Sequence, residues 1–173
     1  AGRDTYIANI NNYWNGYVED QGITYIEGYA SFIDAKTIAV GDEHYSADHI
    51  VIATGGQPIV PPVPGAGHGI TSDGFFELME QPEKVAVIGG GYIGVELSGV
   101  LRALGSHVTT VALENRVLEL FDPMISRVLE EEMRKQGIDV RPGFEVTELS
   151  KDENGIYLTS KHGVTIGGFD TVI

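Results

Sequence analysis

The feature that most constrains this chain is a glycine-rich turn between a strand and a helix. In KVAVIGGGYIGVELSGVLRALG, residues 84–105, a short apolar run leads into Gly89, Gly91 and Gly94 at the spacing GxGxxG. The first glycine permits a tight turn, the second lets a diphosphate approach the backbone, and the third lets the helix pack close to the strand. Unpaired N–H groups at a helix start attract anions, so the segment predicts a dinucleotide-binding unit. Glycines that only pack a helix on a strand are the alternative, and the surrounding βαβ pattern disfavours it.

The residues after the turn continue the alternation of strands and helices. We predict, in order, a strand at 84–89, a helix at about 92–104 capped by Gly105, a strand in HVTTVAL, a helix from Asp122 or Pro123 to about Gln136 closed by Gly137, and a strand in IDVRPG. The tail alternates apolar and polar residues around Asn154-Gly155 and His162-Gly163, which predicts a β-meander that ends in an apolar run at Phe169. The fold class is therefore α/β, with a Rossmann-like βαβαβ domain and a β-meander.

The N-terminal part has a different pattern. Apolar and aromatic residues recur at helical spacing from Asp4 to Val18, which predicts a helix with Asp4 as its N-cap and a face that packs on the protein. The short runs ITYIEG, YASFI and TIAV predict a small β-meander, and HIVIATGG at 49–56 predicts a strand buried on both faces. A proline-rich connector follows at 57–69, and then a short helix at 73–79 closed by Pro82.

Charge and composition exclude several classes of partner. The net charge of −14 disfavours nucleic acid and anionic membranes. The chain has no cysteine, so it carries no disulfide framework, thiolate metal site or thiol chemistry of its own. The five histidines lack metal-ligand spacing, and we expect no metal site. No apolar run is long enough for a membrane span, and we expect a cytoplasmic protein that is a fragment of a longer chain.

An acidic residue follows the second predicted strand. Glu114 lies about 20 residues beyond Gly94, where dinucleotide-binding domains place a carboxylate on the adenosine ribose. The end of that strand is uncertain by two residues or more when read from sequence. Glu114 is therefore either a ribose ligand or an ordinary solvated carboxylate.

Six stretches together carry a resemblance to a known family. They are RDTYI at 3–7, GYASFIDAKTI at 28–38, ADHIVIATGGQP at 47–58, GITSDGFFEL at 69–78, KVAVIGGGYIGVELSGVL at 84–101 and LFDPMIS at 120–126. In this order they resemble flavoprotein disulfide reductases, most closely the glutathione reductases. The resemblance implies that residues 1–82 are the later part of an FAD-binding domain. It also implies that residues 83–173 are most of an NAD(P)H-binding domain, truncated at its last strand.

The resemblance also implies roles for individual residues. Tyr92 resembles the aromatic gate that covers the flavin ring, and Glu96 resembles the carboxylate that pairs with a lysine beside the flavin. The cofactor-binding positions that it implies, together with those of the glycine turn and its neighbours, are Ala30, Ala53, Thr54, Gly55, Gly56, Ser72, Asp73, Gly89, Gly91, Ile93, Gly94, Glu114 and Arg116. Without the family, Tyr92 would be a packing aromatic and Glu96 an acid near a helix start.

The choice between NADH and NADPH depends on the residues after the second strand. NADPH-using glutathione reductases carry two arginines where this chain has Leu113 and Glu119, and NADH-using relatives carry a glutamate at Ala112. Neither pattern is complete. Gly94, Glu114 and Glu119 favour NADH, whereas the guanidinium of Arg116 is able to pair with a phosphate. We expect a preference for NADH.

The implied activity is that of a longer protein. In the family, hydride passes from the nicotinamide to FAD and on to a CxxxxC disulfide, which with a His-Glu pair of the partner subunit reduces glutathione disulfide. Neither the disulfide nor that pair lies in this chain, so we expect this piece alone to be inactive and the whole to be a homodimer. Dihydrolipoamide dehydrogenase, NADH oxidase and a non-catalytic nucleotide-binding module are the alternatives.

Overall fold

The computed structural model describes residues 2–173, which fall into two compact units. The first unit ends at Gly55, and the second runs from Gly56 to Ile173. This division by contacts lies earlier in the chain than the boundary after residue 82 that the resemblance implies. The assignment of residues 1–82 and 83–173 to two cofactor-binding domains stays a prediction.

The first unit begins with the predicted helix, α1, at Gly2–Asp20. The helix starts before Asp4, so Asp4 lies in its first turn and the predicted N-cap is wrong. The prediction that its apolar face is packed is also wrong, because no residue of α1 is buried. Tyr13, Trp14 and Tyr17 instead contact one another, with ring centroids 5.3 Å apart for Tyr13 and Trp14 and 5.7 Å for Trp14 and Tyr17. Helical periodicity predicts a face but does not supply the surface that covers it.

A three-stranded antiparallel sheet follows, which confirms the small meander. Its strands are β1 (Ala30–Asp34), β2 (Thr37–Val40) and β3 (Glu43–Ser46), in the order β1-β2-β3. Two predictions fail here, since ITYIEG is not a strand and HIVIATGG forms no strand either. Val51 and Ile52 are 86% and 70% exposed. A buried strand needs hydrogen-bonded neighbours, and in the described residues β1–β3 pair only with one another.

The second unit begins with the proline-rich connector. It has no regular structure except a single 3₁₀ turn at Ala66–His68, and α2 (Ser72–Glu77) follows it. The backbone N–H of Leu149 donates to the Pro64 carbonyl at 2.9 Å. Gly65 has a φ of 74° and lies so close to the Leu149 carbonyl that a Cβ there would overlap it. The connector is therefore held against Leu149 at Pro64 and Gly65.

A parallel sheet with two helices confirms the βαβαβ prediction. Its elements are β4 (Lys84–Ile88), α3 (Tyr92–Leu104), β5 (His107–Val111), α4 (Pro123–Lys135), β6 (Asp139–Arg141) and β10 (Thr171–Val172), with strand order β10-β4-β5-β6. Gly105, with a φ of 107°, ends α3 as predicted. The Asp122 side chain accepts a hydrogen bond from the Met124 N–H at 2.8 Å and begins α4.

The tail forms the predicted meander and then rejoins the parallel sheet. Its strands are β7 (Val146–Asp152), β8 (Gly155–Ser160) and β9 (Thr165–Phe169). Phe169 ends β9, and Thr171 and Val172 then pair with Val85 and Ala86 of β4. The apolar run at 169–173 thus contributes to two sheets, the meander through Phe169 and the parallel sheet through Thr171 and Val172.

The parallel sheet is covered on both faces. Val85 and Val87 of β4 pack with Leu101 of α3 and Met133 of α4, while Ala86 between them packs with residues of the meander such as Leu158. Side chains alternate across a strand, so a strand between two apolar layers reads as a continuous apolar run. This arrangement makes β4 the centre of the unit and fixes where its C-terminal end lies.

A buried pair of hydroxyl groups fastens α3 to β5. Ser98 and Thr110 are fully buried, and their side-chain oxygens are 2.8 Å apart. Ser98 Oγ also donates to the Gly94 carbonyl at 2.7 Å. The first turns of α3 are therefore tied to the neighbouring strand.

Replacing Thr110 by valine tests this contact. We expect T110V to lower the free energy of unfolding by about 1 kcal/mol, because the shape is kept while a buried hydrogen bond is lost. Urea denaturation followed by circular dichroism measures the change. T109V, on the same strand, serves as the matched control, and an equal loss in both variants would contradict the role of the Ser98–Thr110 pair.

Candidate dinucleotide-binding site

The first glycine of the motif makes the turn at the end of β4. Gly89 has a φ of 131°, which L side chains rarely adopt. Its N–H donates to the Val111 carbonyl of β5 at 2.8 Å. The turn is thus held to the neighbouring strand, and a side chain at Gly89 would strain the backbone.

The third glycine sets the distance between helix and strand. A Cβ on Gly94 would overlap the Gly89 carbonyl oxygen and would lie 3.4 Å from Val87 Cγ1. The first turn of α3 therefore lies directly against the end of β4. A glycine is required here by a backbone contact and not by its own φ.

The second glycine leaves the start of the helix open. Gly91 is the N-cap of α3, with φ −73° and ψ 175°, and no side chain caps the helix. The carbonyl of Gly91 accepts the Val95 N–H at 3.0 Å as the first bond of the helix. The N–H groups of Tyr92, Ile93 and Gly94 precede that bond, so they have no partner within the helix. A Cβ on Gly91 would meet no atom within 4 Å, so the space before these amides is free.

A cavity opens beside the glycine turn. It has a volume of about 300 Å³ and is lined largely by apolar groups. Its lining includes Gly89, Gly91, Ile93 and Gly94 together with residues 58–61 and 69–72, among them Ser72. All of these residues belong to the second unit. A polar helix start beside an apolar cavity suits an anionic group that carries a flat apolar ring.

The loop after β5 is anchored to the same turn. The Leu118 N–H donates to the Gly90 carbonyl at 2.7 Å. Leu118 has a φ of 51° and is the one non-glycine residue with a positive φ in the described part of the chain. A buried leucine in this conformation is strained, so the surrounding contacts must hold it there.

The two residues of this loop that the sequence predicted, Glu114 and Arg116, have different environments. Glu114 is exposed just beyond β5, and its carbonyl accepts the Gly143 N–H at 2.7 Å. Arg116 is engaged within the protein, because its Nε atom lies 3.3 Å from Glu119 Oε2 and its Nη2 donates to the Glu119 carbonyl at 3.2 Å. The sequence-based interpretation treated Arg116 and Glu119 separately and missed this pair. The spacing of three residues did not announce the pair, because that spacing brings side chains together on helices and residues 113–120 are not helical.

Tyr92 and Glu96 lie on the first turns of α3. Tyr92 is 60% exposed, and Glu96 is exposed and makes no ion pair with any described residue. Both side chains are thus free to meet groups outside this chain.

The proposed flavin positions are distributed over both units. Ser72 lines the cavity, whereas Gly56 and Asp73 in the same unit do not. Ala30 and residues 53–55 belong to the first unit and are exposed there. Their roles stay predictions.

The described residues contain neither a membrane-spanning helix nor a cluster of metal-ligating side chains. Among residues 2–173, no helix combines the length and apolar character that crossing a membrane requires. Within the same range, no three histidine, cysteine, aspartate or glutamate side chains converge as metal ligands would.

Comparisons with known proteins agree with the fold and the glycine turn. Residues 4–173 match the family model described as pyridine nucleotide-disulphide oxidoreductase. Glutathione reductase from Yarrowia lipolytica is 40% identical in an alignment 170 residues long, which covers 92% of this chain and 36% of that protein. Glutathione reductase from Schizosaccharomyces pombe is 43% identical over 145 residues, covering 80% of this chain and 31% of that protein.

The chain is also similar to a solved structure of a flavoprotein disulfide reductase. The Cu(II) complex of the HOCl-induced flavoprotein disulfide reductase RclA from Escherichia coli superimposes with a TM-score of 0.83 at 29% identity, over 99% of this chain and 40% of that one. The fold and the glycine turn define a dinucleotide-binding protein of the α/β class. The chain belongs to the pyridine nucleotide-disulphide oxidoreductase family, and it spans about a third of the length of the curated relatives it matches.

The family implies two cofactors, FAD and a pyridine nucleotide. The second unit fits a pyridine nucleotide on structural grounds, because Gly94 packs directly against Gly89 and the space around the Gly91 Cβ position is open; these glycines form the cradle. Tyr92, Ile93 and Gly94 would hold the diphosphate through their N–H groups.

Gly91 offers a direct test of the cradle. We expect G91V to weaken binding of ADP-ribose at least about tenfold, which is about 1.4 kcal/mol, because the side chain fills the space before the helix amides. Calorimetric titration measures binding, and thermal unfolding should shift little because the Cβ position of residue 91 has open space around it. Gly99, which also has open space around it, supplies the control variant G99A. Unchanged ADP-ribose affinity in G91V would contradict the assignment.

Proposed function

We propose that this chain is the nucleotide-binding portion of a glutathione reductase-like flavoenzyme. The intact enzyme passes hydride from a nicotinamide coenzyme to FAD and on to a redox disulfide, which reduces glutathione disulfide. The observation that supports this proposal most strongly is the open start of α3 beside an apolar cavity. The identity of 40% with a glutathione reductase over 92% of the chain supports the choice of substrate.

The residues of this chain contribute binding and orientation. When bound, the nicotinamide would supply a hydride and the flavin would accept it. The N–H groups at the start of α3 bind the diphosphate, and residues 58–61 and 69–72 line the largely apolar cavity beside them. The Tyr92 ring, which is exposed at the helix start, would cover the flavin. Glu96, one turn later, pairs with a lysine elsewhere in the enzyme.

The preferred coenzyme is NADH. A 2′-phosphate needs cationic partners, and Leu113 and Glu119 occupy the positions where NADPH-using glutathione reductases carry arginines. The remaining arginine of the loop, Arg116, already pairs with Glu119. The exposed carboxylate of Glu114 lies after β5, where it is suited to the ribose hydroxyl of NADH.

The proposal extends to features of the whole enzyme. Residues 1–82 belong to its FAD-binding domain and residues 83–173 to its NAD(P)H-binding domain. Ala30, residues 53–56, Ser72 and Asp73 contact the FAD. The enzyme is a cytoplasmic homodimer, consistent with a chain that has no cysteine for structural disulfides.

An activity assay on the intact enzyme tests this proposal. We expect a yellow protein that oxidises NADH only when glutathione disulfide is added, with a lower KM for NADH than for NADPH. Absorbance at the nicotinamide band measures the rate. Lipoamide and oxygen are the comparison acceptors, and a faster reaction with either one would contradict the choice of substrate.

A further inference from the structure

A buried serine of α4 is connected by hydrogen bonds to the glycine turn. Ser126 is fully buried, and its Oγ donates to the Leu118 carbonyl at 2.8 Å. The Leu118 N–H in turn donates to the Gly90 carbonyl at 2.7 Å. We propose that Ser126 is a positioning residue for dinucleotide binding, which acts through Leu118 on the orientation of the turn. The inference rests on the proposed function, since it concerns the diphosphate cradle of the same site.

Leu118 needs this support because of its backbone conformation. Its φ of 51° lies in the left-handed region, which a leucine occupies only where surrounding contacts hold it. Its carbonyl accepts the Ser126 hydroxyl and the Phe121 N–H, each at 2.8 Å. A rotation about φ changes the angle between the N–H and the carbonyl of the same residue, so a relaxed Leu118 cannot keep its hydrogen bonds on both sides. Removing the Ser126 hydroxyl therefore loosens the Leu118 N–H as well.

The Gly90 carbonyl is the point at which Leu118 acts on the cradle. The peptide unit between Gly90 and Gly91 is trans, so its carbonyl and its N–H point in opposite directions. A Gly90 carbonyl held toward Leu118 directs the Gly91 N–H away from the loop. That N–H donates to no group of the described residues, and Gly91 lines the cavity. The orientation of this peptide unit thus decides whether an anion meets an N–H or a carbonyl oxygen there.

The turn cannot fix this orientation with its own side chains. A Cβ on Gly90 would lie 2.8 Å from Ala112 Cβ, so a glycine is required between the turn and the residue after β5. Gly91 is required to keep the space before the helix amides open. Two successive glycines leave the peptide unit between them with unusual rotational freedom. The restraint must therefore come from outside the turn, and the path from Ser126 through Leu118 supplies it.

Removing the hydroxyl without adding bulk tests the inference. ADP-ribose is titrated calorimetrically into the intact enzyme and into its S126A variant. We expect the dissociation constant to rise at least about fivefold in S126A, because the amides are less well oriented before the ligand arrives. In steady-state assays the KM for the nicotinamide coenzyme should rise while kcat changes less than about twofold, because Ser126 touches no reacting atom.

Ser106 supplies the matched control. It is also fully buried, and its Oγ donates to the Pro82 carbonyl at 2.7 Å, before β4 begins and so at the end of that strand away from the turn. We expect S106A and S126A both to lower the free energy of unfolding in urea, because each loses a buried hydrogen bond. Only S126A should weaken ADP-ribose binding. An unchanged affinity in S126A, or an equal loss in S106A, would overturn the inference.

A change at position 118 tests the route through which Ser126 acts. Asparagine adopts a positive φ more readily than leucine, so L118N depends less on the hydroxyl. In the L118N background we expect S126A to raise the ADP-ribose dissociation constant less than about twofold. The full loss in that background would show that Ser126 does not act through the strained φ and would overturn the inference. Failure of the unmodified enzyme to bind ADP-ribose would overturn the proposed function, and this inference with it.

Discussion

The contact between the Gly94 position and the Gly89 carbonyl is the constraint on which the site depends. It brings the first turn of α3 against the end of β4, so the free N–H groups of the helix stand where the strand ends. A larger residue at Gly94 would push the helix away and turn a close junction into an ordinary loop. The open space at Gly91 then leaves those N–H groups accessible to an anion.

The packing of the second unit makes this junction rigid. β4 lies between β10 and β5, with helices on one face and the meander on the other. The Ser98–Thr110 hydroxyl pair ties α3 to β5, and the Gly89 N–H ties the turn to the same strand. Because the turn is held from several directions, its amides keep their orientation without a ligand, which reduces the entropic cost of binding.

Local sequence signals predicted the parallel sheet and helices of the second unit well, since residues at the ends of these elements mark where they begin and end. Gly105 and Asp122 marked the end of α3 and the start of α4, and both do so in the structure. The strand predicted in HIVIATGG is absent because a strand forms only with hydrogen-bonded partners. The apolar character of the segment does not indicate where such partners lie. The predicted burial of the apolar face of α1 was wrong for a related reason, since periodicity defines a face without identifying what covers it.

Some residues of the candidate site were predictable from the sequence and others were not. The glycine positions were readable because their spacing reflects a single local turn. The Arg116–Glu119 pair lies in a loop in which Leu118 has a positive φ, a conformation that leucine rarely adopts and that no sequence pattern announces. The wall formed by residues 58–61 was likewise hidden, because a proline-rich run predicts an extended path and not the surface that it faces.

A crystal structure of the intact enzyme with ADP-ribose tests the central claim most directly. Our account requires the diphosphate oxygens to lie within hydrogen-bonding distance of the backbone nitrogens of Tyr92, Ile93 or Gly94, with no side chain between them. A diphosphate bound elsewhere, with the start of α3 left to solvent, would contradict it.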